Sequence, residues 1–363
     1  MKSIQLASWL LITSLVIYLL IIAKHLIIPL IVAISIWYLI NTLAGYFQNI
    51  RVLGRRVPRM LSFIFAAITI IAIFAFCINI ILENAEKMVA AAPRYEQTLD
   101  MVIADLLSWL DFDETPSLAK LLNEIDLRPL IVSVGASISN FAGQLILIII
   151  YIIFLLLEQR FFKRKFQAFF SQPGQYRKGV RILERINTSI QTYITVKTFV
   201  SFLTASLSYI GMYFIGLDFA AFWAFLIFLM NFIPSIGSIL ATALISLFAL
   251  LQFEDLSYFF LTLLVVGSVQ LAMGNYLDPR LMGKSLNISP LIVILSLALW
   301  GSIWGVIGMA LSVPIMVSVM IVLSQFPQTA ALSVLLSQDG RILELDTTVN
   351  SDQVVETESY EAD

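Results

Sequence analysis

Three short stretches of this 363-residue chain place polar groups and helix-breaking residues inside long apolar surroundings. The first is Asn231-Phe232-Ile233-Pro234-Ser235-Ile236-Gly237-Ser238, in the middle of the uncharged run 219–253. Pro234 removes a backbone donor and Gly237 permits a bend, so carbonyls and amides near 233–237 leave the helix ladder and can bind a polar solute. The same residues fit a tight turn between two helices, capped by Asn231 and Ser235, and the two readings are compatible. The second stretch is Asn275-Tyr276-Leu277-Asp278-Pro279-Arg280-Leu281-Met282-Gly283-Lys284. Asp278 and Arg280 flank Pro279, which predicts a rigid turn held by a charge pair. Its plainer reading is a capped loop with an interfacial ion pair. Gln270 and Asn275, on the span before it, are polar residues that need partners and are expected to face a pathway. The third is Gly301, Gly305 and Gly308 with Trp300 and Trp304 between them. This spacing fits either a close helix–helix packing face or a flexible hairpin tip.

These residue types do not assemble a catalytic site. The sequence has no Walker loop, Cys-x-x-Cys, His-Glu-x-x-His or Gly-x-Ser-x-Gly. One cysteine, Cys77, and one histidine, His25, supply neither an intrachain disulfide nor a metal ligand set. The chain therefore reads as a non-enzyme without cofactor, metal or nucleic-acid partner. Any transport must draw on an ion gradient or on the solute's own gradient. His25, beside Lys24, reads as an interfacial polar residue, with pH sensing as the physical alternative.

The elements that carry these stretches are membrane spans. Hydrophobic residues make up 60% of the chain and charged residues 13%, with a mean hydropathy of +0.92, whereas about a quarter of a soluble domain is charged. Uncharged runs at 3–23, 26–50, 60–82, 129–157, 198–217 and 256–277 each suit one crossing. The runs 219–253 and 285–338 are too long for one, and the second carries Pro290, Gly301, Gly305, Gly308 and Pro314 as break points. Run 3–23 is longer than a signal-peptide core and lacks a small-x-small site, so it reads as a retained span. The expected fold class is an all-α polytopic membrane protein of about eight spans. Two runs are broken or hairpin-like, and an extracytoplasmic amphipathic helical segment is added.

Loop charges give the sidedness. Arg51, Arg55, Arg56 and Arg59, then Arg160, Lys163, Arg164, Lys165, Arg177, Lys178, Arg181 and Arg185, mark two cytoplasmic loops. Segment 83–128 is acidic and expected outside, with Tyr95, Leu99, Val102, Leu106 and Leu110 at helical spacing on the membrane or a neighbouring subunit. If run 219–253 dips in and returns, Arg280 and Lys284 fall inside, and a second hairpin leaves both termini cytoplasmic. The chain divides into spans 1–82, the acidic segment 83–128, a fourth span with a basic segment 129–197, a core with broken helices 198–338, and an acidic tail 339–363 read as disordered.

Together, Asn231-Phe232-Ile233-Pro234-Ser235-Ile236-Gly237-Ser238, the block Pro279-Arg280-Leu281-Met282-Gly283-Lys284-Ser285-Leu286-Asn287-Ile288-Ser289-Pro290-Leu291, then Trp300-Gly301, Gly305, Gly308 and Val313-Pro314 resemble the signature of the autoinducer-2 exporter family of bacterial membrane proteins. The resemblance implies an inner-membrane transporter among lipids, assembled as a homo-oligomer, with a pentamer as the family's implied state. It would export the small polar signal autoinducer-2 or a related solute. Some members of the family are associated with exchange of sodium or lithium for protons, so a proton or sodium is the implied coupling ion. On this reading Asn231, Ser235, Asn275 and Arg280 are polar contacts. Pro234, Gly237, Asp278, Pro279, Gly283, Pro290, Gly301, Gly305, Gly308 and Pro314 complete the pathway or its hinges. A cation antiporter is disfavoured, because Glu158 and Asp278 lie only at span ends. A non-transporting scaffold is the third class.

Overall fold

A computed structural model describes residues 2–52, 55–109, 127–169, 173–282, 287–326 and 328–340. Gly283, Leu110 and the tail from 341 lie outside the described residues. Five long helices come first: α1 (Lys2–Ile22), α2 (Lys24–Asn49), α3 (Arg59–Trp109), α4 (Leu127–Phe169) and α5 (Pro173–Ile215). There follow α6 (Ala220–Met230), α7 (Ile236–Phe253), α8 (Leu256–Ala272), a π-helical turn (Met273–Leu277), α9 (Asp278–Met282), α10 (Pro290–Ser324) and α11 (Ala330–Leu336). Between α2 and α3 two short strands, β1 (Arg51–Val52) and β2 (Arg55–Arg56), pair antiparallel with Arg51 opposite Arg56.

The chain is an all-α polytopic membrane protein. Among the described residues seven helices are long and apolar enough to cross a bilayer. The α2–α3 link carries Arg51, Arg55, Arg56 and Arg59 and defines a basic end of the bundle; Asp218, Glu254 and Asp255 define the opposite, acidic end. At that acidic end Asp255 accepts a hydrogen bond from the Ser257 N–H at 2.8 Å and caps α8, and this holds its carboxyl below the usual range.

Three buried clusters organise the packing. Ala33, Ile36, Ile40 and Ala44 of α2 meet Ala66 of α3 and Ile148 of α4, where alanines allow close helix approach in an apolar solvent. The other two lie at successive levels along α5. Toward the acidic end Ala205, Met212 and Leu217 bury against α6, α7 and α8; toward the basic end Tyr193 and Ile194 bury against Tyr38 and Val313, Val317, Met320 and Ile321 of α10. Thr42 and Thr195 hydroxyls, 3.3 Å apart, and the Gln191 amide on Thr42 at 3.0 Å tie α2 to α5.

The helix expected within segment 83–128 is present over 83–109 and is continuous with the third span. Acidic residues after position 82 end a hydropathy window, but they do not end a helix, and α3 continues to Trp109. At 51 residues it is about 76 Å long. Its far part folds over this chain's own acidic end, where Tyr95 is 6% and Thr98 1% exposed.

Candidate functional site

Run 219–253 is a hairpin. Its first arm, α6, has 11 residues and spans about 16 Å, too short to cross a hydrocarbon core of about 30 Å. Its two ends meet at the base: the Asp218 N–H donates to Gln252 Oε1 at 2.7 Å, and Gln252 Nε2 donates to the Gly216 carbonyl at 2.9 Å. Trp223 and Phe219 of the first arm tilt against Phe248 of the second, with centroids 5.0 and 5.9 Å apart. This is hairpin 1, entering from the acidic end.

Its tip is a strained turn. The Ile236 N–H donates to the Pro234 carbonyl at 2.6 Å, closing a γ-turn around Ser235, whose φ of 60° and ψ of −53° are rare for a side-chain-bearing residue. Gly237 then passes so close to Met230 that a Cβ would overlap its carbonyl oxygen. The predicted caps are corrected here. Ser235 is exposed and caps nothing, and Asn231 turns its amide across to Ser201 Oγ of α5 at 3.0 Å, buried at both ends.

Run 285–338 carries a second hairpin. Helix α10 changes direction at Gly305, with φ 65° and ψ −145°, a conformation open to glycine alone. The arms fold back on each other, so Ser296 Oγ donates to the Ser312 carbonyl at 3.1 Å. A Cβ on Gly308 would overlap the Trp300 carbonyl oxygen, and one on Gly301 would lie 2.8 Å from Met309 Cε. The three glycines thus form a hairpin tip. Trp304 donates its indole N–H to the Leu20 carbonyl of α1 at 3.1 Å and tilts against Trp300 at 4.9 Å. Pro314 is buried in the second arm, and Pro290 opens the first at the exposed base. There α11 straps the hairpin: Ser289 N–H donates to the Leu336 carbonyl at 3.0 Å, and Asn287 Nδ2 to Asp339 Oδ1 at 2.9 Å. This hairpin 2 enters from the basic end.

Both hairpins pack on α5, and α5 turns a polar stripe inward. Lys197, Ser201, Thr204 and Ser208 recur at spacings of three and four and are all buried. The Thr198 and Ser208 hydroxyls, with Ser246 on α7, Thr262 on α8 and Gln270 Nε2 on α8, are buried polar atoms without a hydrogen-bond partner. Antiparallel packing of α8 on α5 puts Gln270 level with the Thr204–Ser208 stretch. These groups leave hydrogen-bonding capacity open inside an apolar bundle.

The second sequence stretch is corrected most. Residues 278–282 form helix α9 continuing α8 through the π-turn; they do not form a loop. A proline clashes with the carbonyl four residues back, here that of Asn275, which lies in the wider π-turn that accommodates it. Asp278 does not pair with Arg280, which is exposed. Its partner is Lys197 of α5: Nζ donates to Oδ2 at 2.6 Å, with side chains 7% and 14% exposed. Asn275 is exposed on the π-turn, whereas Gln270 is 6% exposed.

A latch closes the acidic end. Tyr95 of α3 donates its hydroxyl to Asp218 at 3.0 Å, and Thr98 donates to Glu254 at 3.3 Å, so α3 holds both ends of hairpin 1 at its base. Burial, then the hydrogen bond to Asp218 and its charge, push the Tyr95 hydroxyl up to about 12.

Two hairpins of broken helices packed on one polar helix face resemble the discontinuous helices of secondary transporters. Residues 9–328 match the family model described as AI-2E family transporter. The chain belongs to the AI-2E transporter family. Among its relatives, the Escherichia coli AI-2 transport protein TqsA is 29% identical over 87% of this chain and 90% of its own length. A Haemophilus influenzae protein named for transport, without a stated solute, is 31% identical over 78% of this chain and 83% of its own. A Borreliella burgdorferi protein named in the same way is 33% identical over 67% of each. Family and relatives alike are described as transport proteins. Of the blocks quoted from the sequence, 231–238 and 300–308 fall at the hairpin tips, 279–282 on α9, 287–291 at the base of hairpin 2 and Val313-Pro314 in its second arm; residues 283–286 lie outside the described residues.

Sequence reasoning missed Lys197, Ser201, Gln252 and the Tyr95 and Thr98 contacts. Lys197 was legible as a charge bordering run 198–217, with polar residues recurring after it on one helical face. No signal in a single sequence pairs it with a residue 81 positions away.

Proposed function

We propose that this AI-2E chain is a secondary transporter that exports a small polar solute, autoinducer-2 or a molecule of its class, across the bacterial inner membrane. The observation that carries this reading is the Asn231–Ser201 hydrogen bond, which seats a polar hairpin tip on the polar face of α5 inside an apolar bundle. The name of TqsA supports the solute class. In this reading the basic end is cytoplasmic, both termini lie there, and the chain works as a homo-oligomer, with a pentamer as the assembly to test. Hairpins 1 and 2 move against the scaffold of α2, α3 and α4. A solute entering the polar column replaces the Asn231–Ser201 bond with its own hydroxyl or carbonyl contacts.

The sodium or lithium/proton antiporter reading has one observation in its favour: Asp278 is a carboxylate only 14% exposed. Lys197 neutralises it, which weakens cation binding there. Purified full-length protein in proteoliposomes separates the readings. Autoinducer-2 flux that falls in Asn231→Leu supports export. Sodium-dependent proton movement without solute flux supports the antiporter, and absence of both supports a scaffold.

A further inference from the structure

We propose that Tyr193, Lys197 and Asp278 form a subsite that binds two adjacent hydroxyls of a neutral solute. The proposal rests on the transport reading above and names the chemistry that the path selects. Tyr193 and Lys197 stand four residues apart on one face of α5, and both are more than nine-tenths buried. Lys197 Nζ donates to Asp278 Oδ2 at 2.6 Å, while Asp278 Oδ1 and the Tyr193 hydroxyl are buried without a hydrogen-bond partner. These two open groups are neighbours, since the Tyr193 hydroxyl lies within electrostatic reach of Asp278.

The open groups define the ligand. An ionised carboxylate only accepts, an ammonium only donates, and a phenol does either. A hydroxyl that donates to Oδ1 and accepts from Tyr193 satisfies both unpartnered atoms at once. Among the described residues Asp278 is the one hydrogen-bond partner of Lys197 Nζ, which carries three protons. The ion pair thus holds an acceptor and a donor side by side, and a hydroxyl on the next carbon accepts from Nζ. The pair stays ionised throughout, and no proton changes hands.

Charge and placement narrow the class further. An anion meets the Asp278 carboxylate, a cation meets the Lys197 ammonium, and either gives up hydration inside an apolar bundle. The same buried cluster adds Tyr38 of α2 and Val313 and Val317 of α10, none of which brings a charge, and Arg280 is exposed. Ketone and ether oxygens accept only, so they leave Oδ1 unfilled. Ser201, which holds Asn231 of hairpin 1, follows Lys197 by one helical turn, about 6 Å along α5. One short polyol therefore reaches from the hairpin tip to the subsite. An ordered water is the competing occupant of the gap between Tyr193 and Asp278.

The test measures binding to the purified full chain by titration calorimetry, with three probes. Erythritol bears a hydroxyl on each of its four carbons, tetramethylene glycol is the same chain with hydroxyls only at its ends, and erythronate carries a carboxylate at one end. The wild type is expected to bind erythritol about tenfold more tightly than either of the others. Tyr193→Phe removes a hydroxyl that bonds nothing in the free chain, so its melting temperature should hold while erythritol affinity falls about tenfold. In Lys197→Met/Asp278→Leu, which strands no charge, the preference for erythritol over tetramethylene glycol is expected to fall to unity. A wild type that binds erythritol no better than tetramethylene glycol, or not at all, overturns the proposal, as does a preference that survives the double variant. A lower melting temperature in Tyr193→Phe with erythritol affinity unchanged marks a structural water and overturns it too. If the double variant does not fold, Tyr193→Phe decides. Binding needs no flux, so the expected preferences without flux of any solute in proteoliposomes would sink the transport reading and leave the subsite standing.

Discussion

At the tip of hairpin 1 a Cβ on Gly237 would overlap the Met230 carbonyl and lie 3.1 Å from Ile233 Cβ; at the tip of hairpin 2 a Cβ on Gly308 would overlap the Trp300 carbonyl and lie 3.0 Å from Trp304 Cβ. One steric solution thus closes two turns whose sequences differ. What the tips present is different. Hairpin 1 offers an amide, bound to Ser201, and a γ-turn at Ser235 that leaves backbone groups outside any helix ladder. Hairpin 2 offers two indoles, one anchored to α1. The bases differ in the same sense. Side chains of Gln252, Tyr95 and Thr98 clasp hairpin 1, whereas backbone hydrogen bonds to α11 help hold hairpin 2. A shared shape with unequal polarity implies that hairpin 1 meets the solute and hairpin 2 shapes the wall beside it.

The first way to break this comparison is at the shared feature. Gly237→Ala and Gly308→Ala each force a methyl onto a carbonyl, and overpacking of this kind costs about 1–3 kcal/mol or more. Thermal unfolding in detergent should show similar losses in both; a loss in only one would mean that the two tips are not equivalent. Backbone strain should then separate them by sign. Gly305→Ala places a side chain in a glycine-only conformation, at a cost of about 1–3 kcal/mol. Ser235→Gly relieves a strained residue and is expected to raise the melting temperature or leave it unchanged, despite glycine's entropic cost.

The next contrast is chemical. Asn231→Leu and Trp304→Phe each remove one hydrogen bond, worth about 0.5–1.5 kcal/mol. Stability should fall comparably, but autoinducer-2 flux should collapse only in Asn231→Leu. Equal flux in both would remove the functional distinction between the hairpins.

The smallest effect belongs to the clasp on hairpin 1. The Tyr95 hydroxyl ionises at about 12 in the folded chain against an ordinary 10.0. Its proton is held more tightly in the folded state, so its contribution is complete below pH 10.0 and is lost as pH rises toward about 12. Hydrogen exchange at the far part of α3 should quicken in that alkaline window. Tyr95→Phe should weaken protection by about 0.5–1.5 kcal/mol at neutral pH and abolish the alkaline step.

Much of this architecture is legible in residue order. A run of 35 uncharged residues with Pro234 at its centre has to return if the next basic residues are to stay with the others, and hairpin 1 does return. Gly301, Gly305 and Gly308 admitted two readings, and the φ of Gly305 selects the hairpin tip. What sequence did not yield were partners across long separations. Lysine ends a hydropathy window but not a helix, so Lys197 looked like a border when it is part of the buried face of α5. The nearness of Asp278 and Arg280 in sequence suggested a pair, yet helical residues two apart point to different sides, and Asp278 reaches a different helix.

The central claim is that the polar face of α5 beneath hairpin 1 is a solute path. The chain has one cysteine, Cys77, so Cys77→Ser/Ser201→Cys gives a single reporter at that face. Labelling by a water-soluble, membrane-impermeant thiol reagent, applied in turn to each side of sealed vesicles, tests the claim most directly. The account predicts that Cys at 201 reacts from both sides and that autoinducer-2 slows the reaction. No labelling from either side, or labelling indifferent to autoinducer-2, would contradict it.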